Sequence, residues 1–116
     1  MATPVSIDIS QLDGIPVAHV SGEVDLSNIA DVRAAIAGAI TNASRALVVD
    51  LSGTTYMDSR GVHLLFELAE RLARSQQQFA VVVPPEAPIR RLLLITHLDQ
   101  AAAIHETVGD AISRLG

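Results

Sequence analysis

The segment 46–73 constrains the fold more than any other part of the chain, because a strand pattern changes to a helix pattern across a short loop. Residues 46–49 read Ala-Leu-Val-Val, a continuous apolar run that is typical of a strand buried on both faces. After the loop, apolar residues recur every three or four positions, which predicts a helix with one buried face. These residues are Val62, Leu65, Phe66, Ala69, Leu72 and Ala73. The segment therefore predicts a strand–loop–helix unit of an α/β protein.

The predicted helix begins at a polar junction. Asp58 stands at the N-cap position, where a carboxylate accepts hydrogen bonds from the free N–H groups of the first turn. Ser59 follows at the first helical position, where these N–H groups and the positive end of the helix dipole favour an anion. The Ser59 hydroxyl is therefore a natural place for a phosphate.

The rest of the chain predicts further strands and helices around this unit. Residues 5–9 alternate between apolar and polar, and a turn signal at Asp13-Gly14 leads to a second extended segment at 17–24, so we expect an antiparallel hairpin. Further elements are predicted at 29–40 (helix), 79–83 (strand), 88–93 (helix), 102–105 (strand) and 107–115 (helix). The sequence thus predicts one α/β domain over residues 1–116, with a mixed sheet of four to five strands and about four helices.

Composition excludes several classes of function. The chain has no Cys, which excludes disulfides and thiolate metal sites and fits a reducing cytosol. All eight of its basic side chains are Arg, and the absence of Lys excludes P-loop NTPases, Schiff-base enzymes and lysine-dependent receiver domains. A net charge of -5 without a basic cluster argues against nucleic acid as a partner. We read no signal peptide and no apolar run near the roughly 18 residues of a membrane span, so we expect a cytoplasmic protein without a membrane partner.

Three enzyme-like features have simpler explanations. Asp50 resembles a phosphoacceptor aspartate but is more simply the polar end of a strand. Ser59 and Gly61 match half of a Gly-x-Ser-x-Gly nucleophile elbow, yet Met57 occupies the first Gly position, which leaves a small serine hydrolase as a remote alternative. The histidines lack the spacing of metal ligands, so no metal or cofactor is expected. They are His19, His63, His97 and His105.

Two positions in the predicted helix bear on a contact surface. At about 100° per residue, Leu64 falls opposite the apolar stripe, beside Arg60 and Glu67. The sequence therefore predicts that Leu64 is exposed, either as an isolated surface leucine or as a contact for a partner. Gly61, which weakens a helix, is expected to allow the close approach of backbone or of a partner.

The sequence resembles a known family at two places. Residues 56–62, Tyr-Met-Asp-Ser-Arg-Gly-Val, preceded by the strand at 47–51, resemble the signature of STAS domains of the anti-sigma factor antagonist type. Residues 22–25, Gly-Glu-Val-Asp, resemble a second motif of that family. The predicted order of strands and helices is also similar over essentially the whole chain. The resemblance implies a bacterial switch protein that is not an enzyme.

The resemblance also implies roles for individual residues. Ser59 would be phosphorylated by a partner that is both an anti-sigma factor and a serine kinase, and a phosphatase would reset the system. The unphosphorylated chain would bind this partner and thereby release a sigma factor. With Leu64 added from its predicted exposure, the partner-binding positions are Asp25, Asp58, Ser59, Arg60, Gly61 and Leu64.

Two alternatives stay open within this resemblance. Arg60 stands where the family commonly has a small residue, so it either hinders docking of the kinase or pairs with a phosphate on Ser59. The chain would otherwise be a STAS domain that is not phosphorylated and that serves as a scaffold or senses a ligand such as a nucleotide.

Overall fold

The computed structural model describes residues 4–115. Its elements in chain order are β1 (Ser6–Leu12), β2 (Ile15–Val24), α1 (Ile29–Ala39), β3 (Ala46–Met57), α2 (Ser59–Arg74), β4 (Gln78–Val82), α3 (Arg90–Ile95), a 3-10 turn (Leu98–Gln100), β5 (Ala103–His105) and α4 (Val108–Arg114). The predicted α/β class is confirmed, with five strands and four α-helices in the described part of the chain.

The five strands form one mixed sheet in the order β1-β2-β3-β4-β5. β1 and β2 are antiparallel and joined at Asp13 and Gly14, which both have positive φ, so the predicted hairpin is confirmed. The remaining neighbours are parallel, and α1 and α2 lie in the crossovers between them. Gly22 has φ +91 beside a register shift in β2, and a Cβ there would clash with the Pro4 carbonyl. This position therefore requires glycine.

Apolar side chains pack on both faces of the sheet, and β3 runs between the two layers. Leu47 and Val49 belong to the larger cluster, which contains the apolar residues of α1 and α2. Ala46 and Val48 belong to the smaller cluster, which α4 completes with residues such as Ala111. The four β3 residues are 0% exposed, which confirms the predicted strand buried on both faces.

Helix α2 is buried over a wider stripe than the sequence predicted. Leu64 is only 3% exposed, so the prediction that it is an exposed contact for a partner is wrong. Leu64 lies at the junction of α2 with α1, where Arg33 Nε and Nη2 donate to the two carboxylate oxygens of Glu67, each at 3.2 Å. The sequence prediction assumed that α2 buries one face, against the sheet. In the structure α2 also packs against α1, which buries a second part of its surface.

Gly61 is also buried, at the first turn of α2. A Cβ on Gly61 would clash with the Met57 side chain and would lie 3.1 Å from Val24 Cγ1. The missing side chain therefore lets α2 start close against the ends of β2 and β3. The close approach predicted for Gly61 is confirmed for the protein's own core, and its burial leaves little surface for the predicted contact with a partner.

We expect Leu64→Ala to lower the free energy of unfolding by about 2 to 4 kcal/mol, because it removes a buried side chain and leaves a cavity. Urea unfolding of the full chain measures this change. The matched control is Leu94→Ala, since Leu94 is 42% exposed. A surface change of this kind is expected to stay within about 0.5 kcal/mol. Equal, small losses for both variants would contradict the burial of Leu64.

We expect Gly61→Ala to lower the free energy of unfolding by about 1 to 3 kcal/mol, the usual range for overpacking a core. Gly38→Ala in α1 is the matched control, because nothing lies within 4 Å of a Cβ built at Gly38. That control is expected to gain roughly 0.5 to 1 kcal/mol from helix propensity. Thermal unfolding compares the two variants, and stabilisation of both would disprove the clash.

Candidate functional site

Ser59 is exposed at the first residue of α2, next to a well-formed helix cap. Asp58 Oδ1 accepts a hydrogen bond from the backbone N–H of Arg60 at 2.9 Å, so the predicted N-cap is confirmed. The Asp58 backbone N–H donates to the Val24 carbonyl at 3.1 Å. Because the Asp58 backbone is hydrogen-bonded to the end of β2, Ser59 is held at a fixed place beside the C-terminal ends of β2 and β3.

Asp58 also connects Ser59 to the loop that precedes α1. Its Oδ2 accepts from the backbone N–H of Leu26 at 3.2 Å. In the same loop, Asp25 Oδ1 accepts from the backbone N–H of Ser27 at 2.9 Å and from the Ser27 hydroxyl. Asn28 Oδ1 accepts from the Asp25 N–H at 3.0 Å. The structure therefore brings Asp25 and Asp58 to one surface, and both carboxylates shape the loops around Ser59.

A groove of about 660 Å³ runs beside Ser59, between α2 and α3. This groove, which we call the Ser59 groove, is lined by Tyr56, Met57, Asp58, Ser59, Val62, His63, Phe66, Leu92 and Thr96. Tyr56 is 49% exposed, and Leu26, whose N–H is bound to Asp58, is 63% exposed. Two exposed apolar side chains thus lie near Asp58, and a group of exposed apolar side chains is typical of a contact surface.

Sequence reasoning missed Leu26 and Tyr56. Both precede a helix, one in a loop and one near the end of β3, where no helical periodicity marks a residue as buried or exposed. Tyr56 lay within the segment that carried the family resemblance, and it is the only Tyr of the chain. The occurrence of a single Tyr was the only feature of the sequence that could have singled out Tyr56.

Arg60 and His63, which lie near Ser59, differ in their surroundings. Arg60 is exposed next to the serine. His63, one turn further along α2, has its Nε2 3.0 Å from Glu67 Oε1, the carboxylate that Arg33 also binds. Within residues 4–115 no histidine is hydrogen-bonded to Ser59, so the structure gives no support to a hydrolase built on Ser59.

No group of three or more His, Cys, Asp or Glu side chains at 4–115 is arranged to hold a metal ion. Across the same range, every helix is too short or too polar to cross a bilayer.

Comparison with known proteins supports the resemblance. The model of the STAS domain family matches residues 6–111. The anti-sigma-F factor antagonist RsfB of Mycobacterium tuberculosis is 30% identical over 115 residues, which cover 97% of this chain and 93% of that protein. The crystal structure of an anti-sigma factor antagonist from Mycobacterium paratuberculosis superposes with a TM-score of 0.87 at 29% identity, covering 97% of this chain and 94% of the other.

A more distant structure shares the fold alone. SpoIIAA in its phosphorylated form, from Bacillus, superposes with a TM-score of 0.69 at 21% identity and covers 96% of this chain and all of that one. The match to the family model includes the motifs at 22–25 and 56–62. The chain therefore belongs to the STAS domain family, within its anti-sigma factor antagonists.

Proposed function

We propose that this chain binds an anti-sigma factor through the surface around Ser59 and thereby releases a sigma factor. The observation that carries the proposal is the exposed serine, held by the Asp58 cap, with exposed Leu26 and Tyr56 beside it. The relative RsfB is named as an antagonist of an anti-sigma-F factor, which supports a partner of the same kind. Burial of these apolar side chains would supply affinity, and the polar groups around Ser59 would supply specificity.

Phosphorylation of Ser59 by the anti-sigma factor, acting as a serine kinase, is the proposed off-switch, and a phosphatase reverses it. A phosphate adds about -1.5 to -2 charges and three acceptor oxygens. Ser59 is exposed at a helix N-terminus, so the fold accommodates this anion without rearrangement. The effect of the phosphate is therefore on the docked interface and not on the stability of the domain.

The charges that already surround Ser59 set the size of this effect. Asp25 and Asp58 place two carboxylates on the same surface, which adds to the repulsion of a new phosphate. Arg60 is exposed beside the serine and offsets part of that repulsion by pairing with the phosphate. Disrupting charged contacts at interfaces costs about 2 to 5 kcal/mol, which corresponds to a roughly 30- to 5000-fold loss of affinity.

The Ser59 groove supports a second candidate function, a scaffold or ligand sensor that is not phosphorylated. Its volume of about 660 Å³ lies within the range of small-molecule sites. Phe66 and Leu92 give it an apolar lining, whereas Asp58 contributes a carboxylate. Such a groove favours an uncharged ligand, because the carboxylate would repel the phosphates of a nucleotide.

We expect Ser59→Asp to reproduce part of the affinity loss caused by phosphate, whereas Ser59→Ala binds the anti-sigma factor and cannot be phosphorylated. Titration calorimetry with the anti-sigma factor compares both variants with the wild type before and after kinase treatment. The control is Ser113→Asp, an exposed serine of α4 that adds the same charge on the opposite side of the sheet. Equal affinities throughout, with no phosphate on Ser59 by mass spectrometry, would exclude the switch and leave the scaffold or sensor.

We expect Leu26→Ala and Tyr56→Ala each to weaken binding of the anti-sigma factor by about tenfold or more, as for apolar anchors at other interfaces. Their melting temperatures should stay near that of the wild type, because both side chains are exposed. Leu12→Ala is the matched control, because Leu12 is 44% exposed. It lies in β1 and pairs with Ile15 at the start of β2, whereas Ser59 lies near the end of β2. Equal affinities of Leu26→Ala, Tyr56→Ala and Leu12→Ala for the anti-sigma factor would place the binding surface elsewhere.

A further inference from the structure

A second polar cluster lies on the sheet, away from Ser59, and joins three neighbouring strands. Ser10 of β1, His19 of β2 and Asp50 of β3 share the sheet face that carries Val17 and the smaller apolar cluster. His19 Nδ1 lies 2.8 Å from Asp50 Oδ2, and Ser10 Oγ lies 3.0 Å from His19 Nε2. The three side chains therefore form a continuous Ser–His–Asp chain of hydrogen bonds.

The direction of these hydrogen bonds follows from the charge on Asp50. Burial raises the pKa of Asp50, but hydrogen bonds from the Ser52 hydroxyl and backbone N–H, and then from His19, outweigh it, so this pKa lies below its ordinary value. An ionised carboxylate only accepts hydrogen bonds, so His19 Nδ1 carries the proton. In the neutral ring, Nε2 then accepts from the Ser10 hydroxyl. This is the polarity that a general base needs in order to activate a serine.

We propose that Ser10 is an activated nucleophile that accepts the acyl group of small, uncharged carboxylic esters. The Ser10 oxygen attacks the ester carbonyl carbon as its proton passes to His19 Nε2, and Asp50 stabilises the resulting imidazolium. The tetrahedral intermediate then collapses, the bond between the carbonyl carbon and the leaving oxygen breaks, and His19 returns the proton to that oxygen. The products are acyl-Ser10 and an alcohol, with His19 again neutral.

The residues around the Ser10–His19–Asp50 cluster favour small, uncharged esters. Asp8 lies directly opposite His19 in the strand pairing, and Asp50 is hydrogen-bonded to His19. Two carboxylates therefore lie on this part of the sheet face and repel anionic esters. The His19 side chain is 39% exposed, which leaves room for a small ester to approach. β1 is an edge strand of the described sheet, so alternate backbone N–H groups of β1 point away from β2. We assign these groups as donors for the developing oxyanion.

The test treats the full chain with a small, uncharged fluorophosphonate, which reports serine nucleophilicity through a stable adduct. The Ser10 oxygen bonds to phosphorus, fluoride leaves, and the hydroxyl proton passes through His19 to solvent. Peptide mass spectrometry locates the adduct, and intact mass follows its rate. We expect Ser10 to react at least ten times faster than Ser6, a more exposed serine of the same strand and face. Acetylation of Ser10 by p-nitrophenyl acetate tests the acyl class directly.

Two variants separate the base from other effects. His19→Gln keeps a polar side chain but removes the base, and we expect it to slow labelling of Ser10 by about a hundredfold, the lower end for a positioned general base. Ser75→Ala, at an exposed serine that follows α2, should leave labelling of Ser10 unchanged. The labelling needs no anti-sigma factor, so its result is independent of the function proposed for Ser59. If His19→Gln does not fold, the comparison of Ser10 with Ser6 in the wild type still decides.

Three results would overturn the proposal. They are equal rates at Ser10 and Ser6, an unchanged rate in folded His19→Gln, and the absence of an acetyl group on Ser10 after treatment with p-nitrophenyl acetate.

Discussion

The arrangement of the surface around Ser59 depends on the hydrogen bonds of one residue, Asp58. Its side chain accepts from the N–H groups of Arg60 and Leu26, and its own N–H donates to the Val24 carbonyl. One residue thus joins the end of β2, the loop before α1 and the start of α2. An N-cap of this type contributes only about 1 kcal/mol to stability. Its larger consequence is geometric, because it fixes where Ser59 lies relative to the neighbouring loop.

The core beneath this cap determines where α2 begins and how it packs. Gly61 allows α2 to start in contact with Met57 and Val24, and Leu64 fills the junction between α2 and α1. Leu64 was predicted to be exposed, and Gly61 was predicted to allow close approach of backbone or of a partner. Both residues are buried and support the surface from below. The phosphorylation proposed for Ser59 would therefore change the surface charge without local unfolding.

Sequence patterns predicted the strands and helices well, but they predicted the burial and contacts of single side chains less well. Strand β3 and helix α2 were predicted from the change between a continuous apolar run and a helical repeat of apolar residues. The Asp58 cap was predicted from its position between these two elements. Leu64 was misplaced because periodicity describes a helix against one neighbour, whereas α2 has two. The Ser10–His19–Asp50 cluster was not predicted, because it spans nine and 31 residues of sequence separation. Strand alternation gives the face of each side chain, but only the register between strands brings the three together.

The two serine sites are electrostatically separate although both involve β3. Asp50 and Asp58 are eight residues apart along the chain, which is roughly 25 Å for an extended strand. The Debye length at physiological ionic strength is about 8 Å, so a phosphate on Ser59 is screened before its charge reaches the His19–Asp50 pair. The sites also open to different surroundings, since α2 packs in the larger apolar cluster and His19 shares the face of the smaller one. A change at Ser59 therefore leaves the hydrogen-bonded cluster on the sheet as it is, and each site responds to its own chemistry.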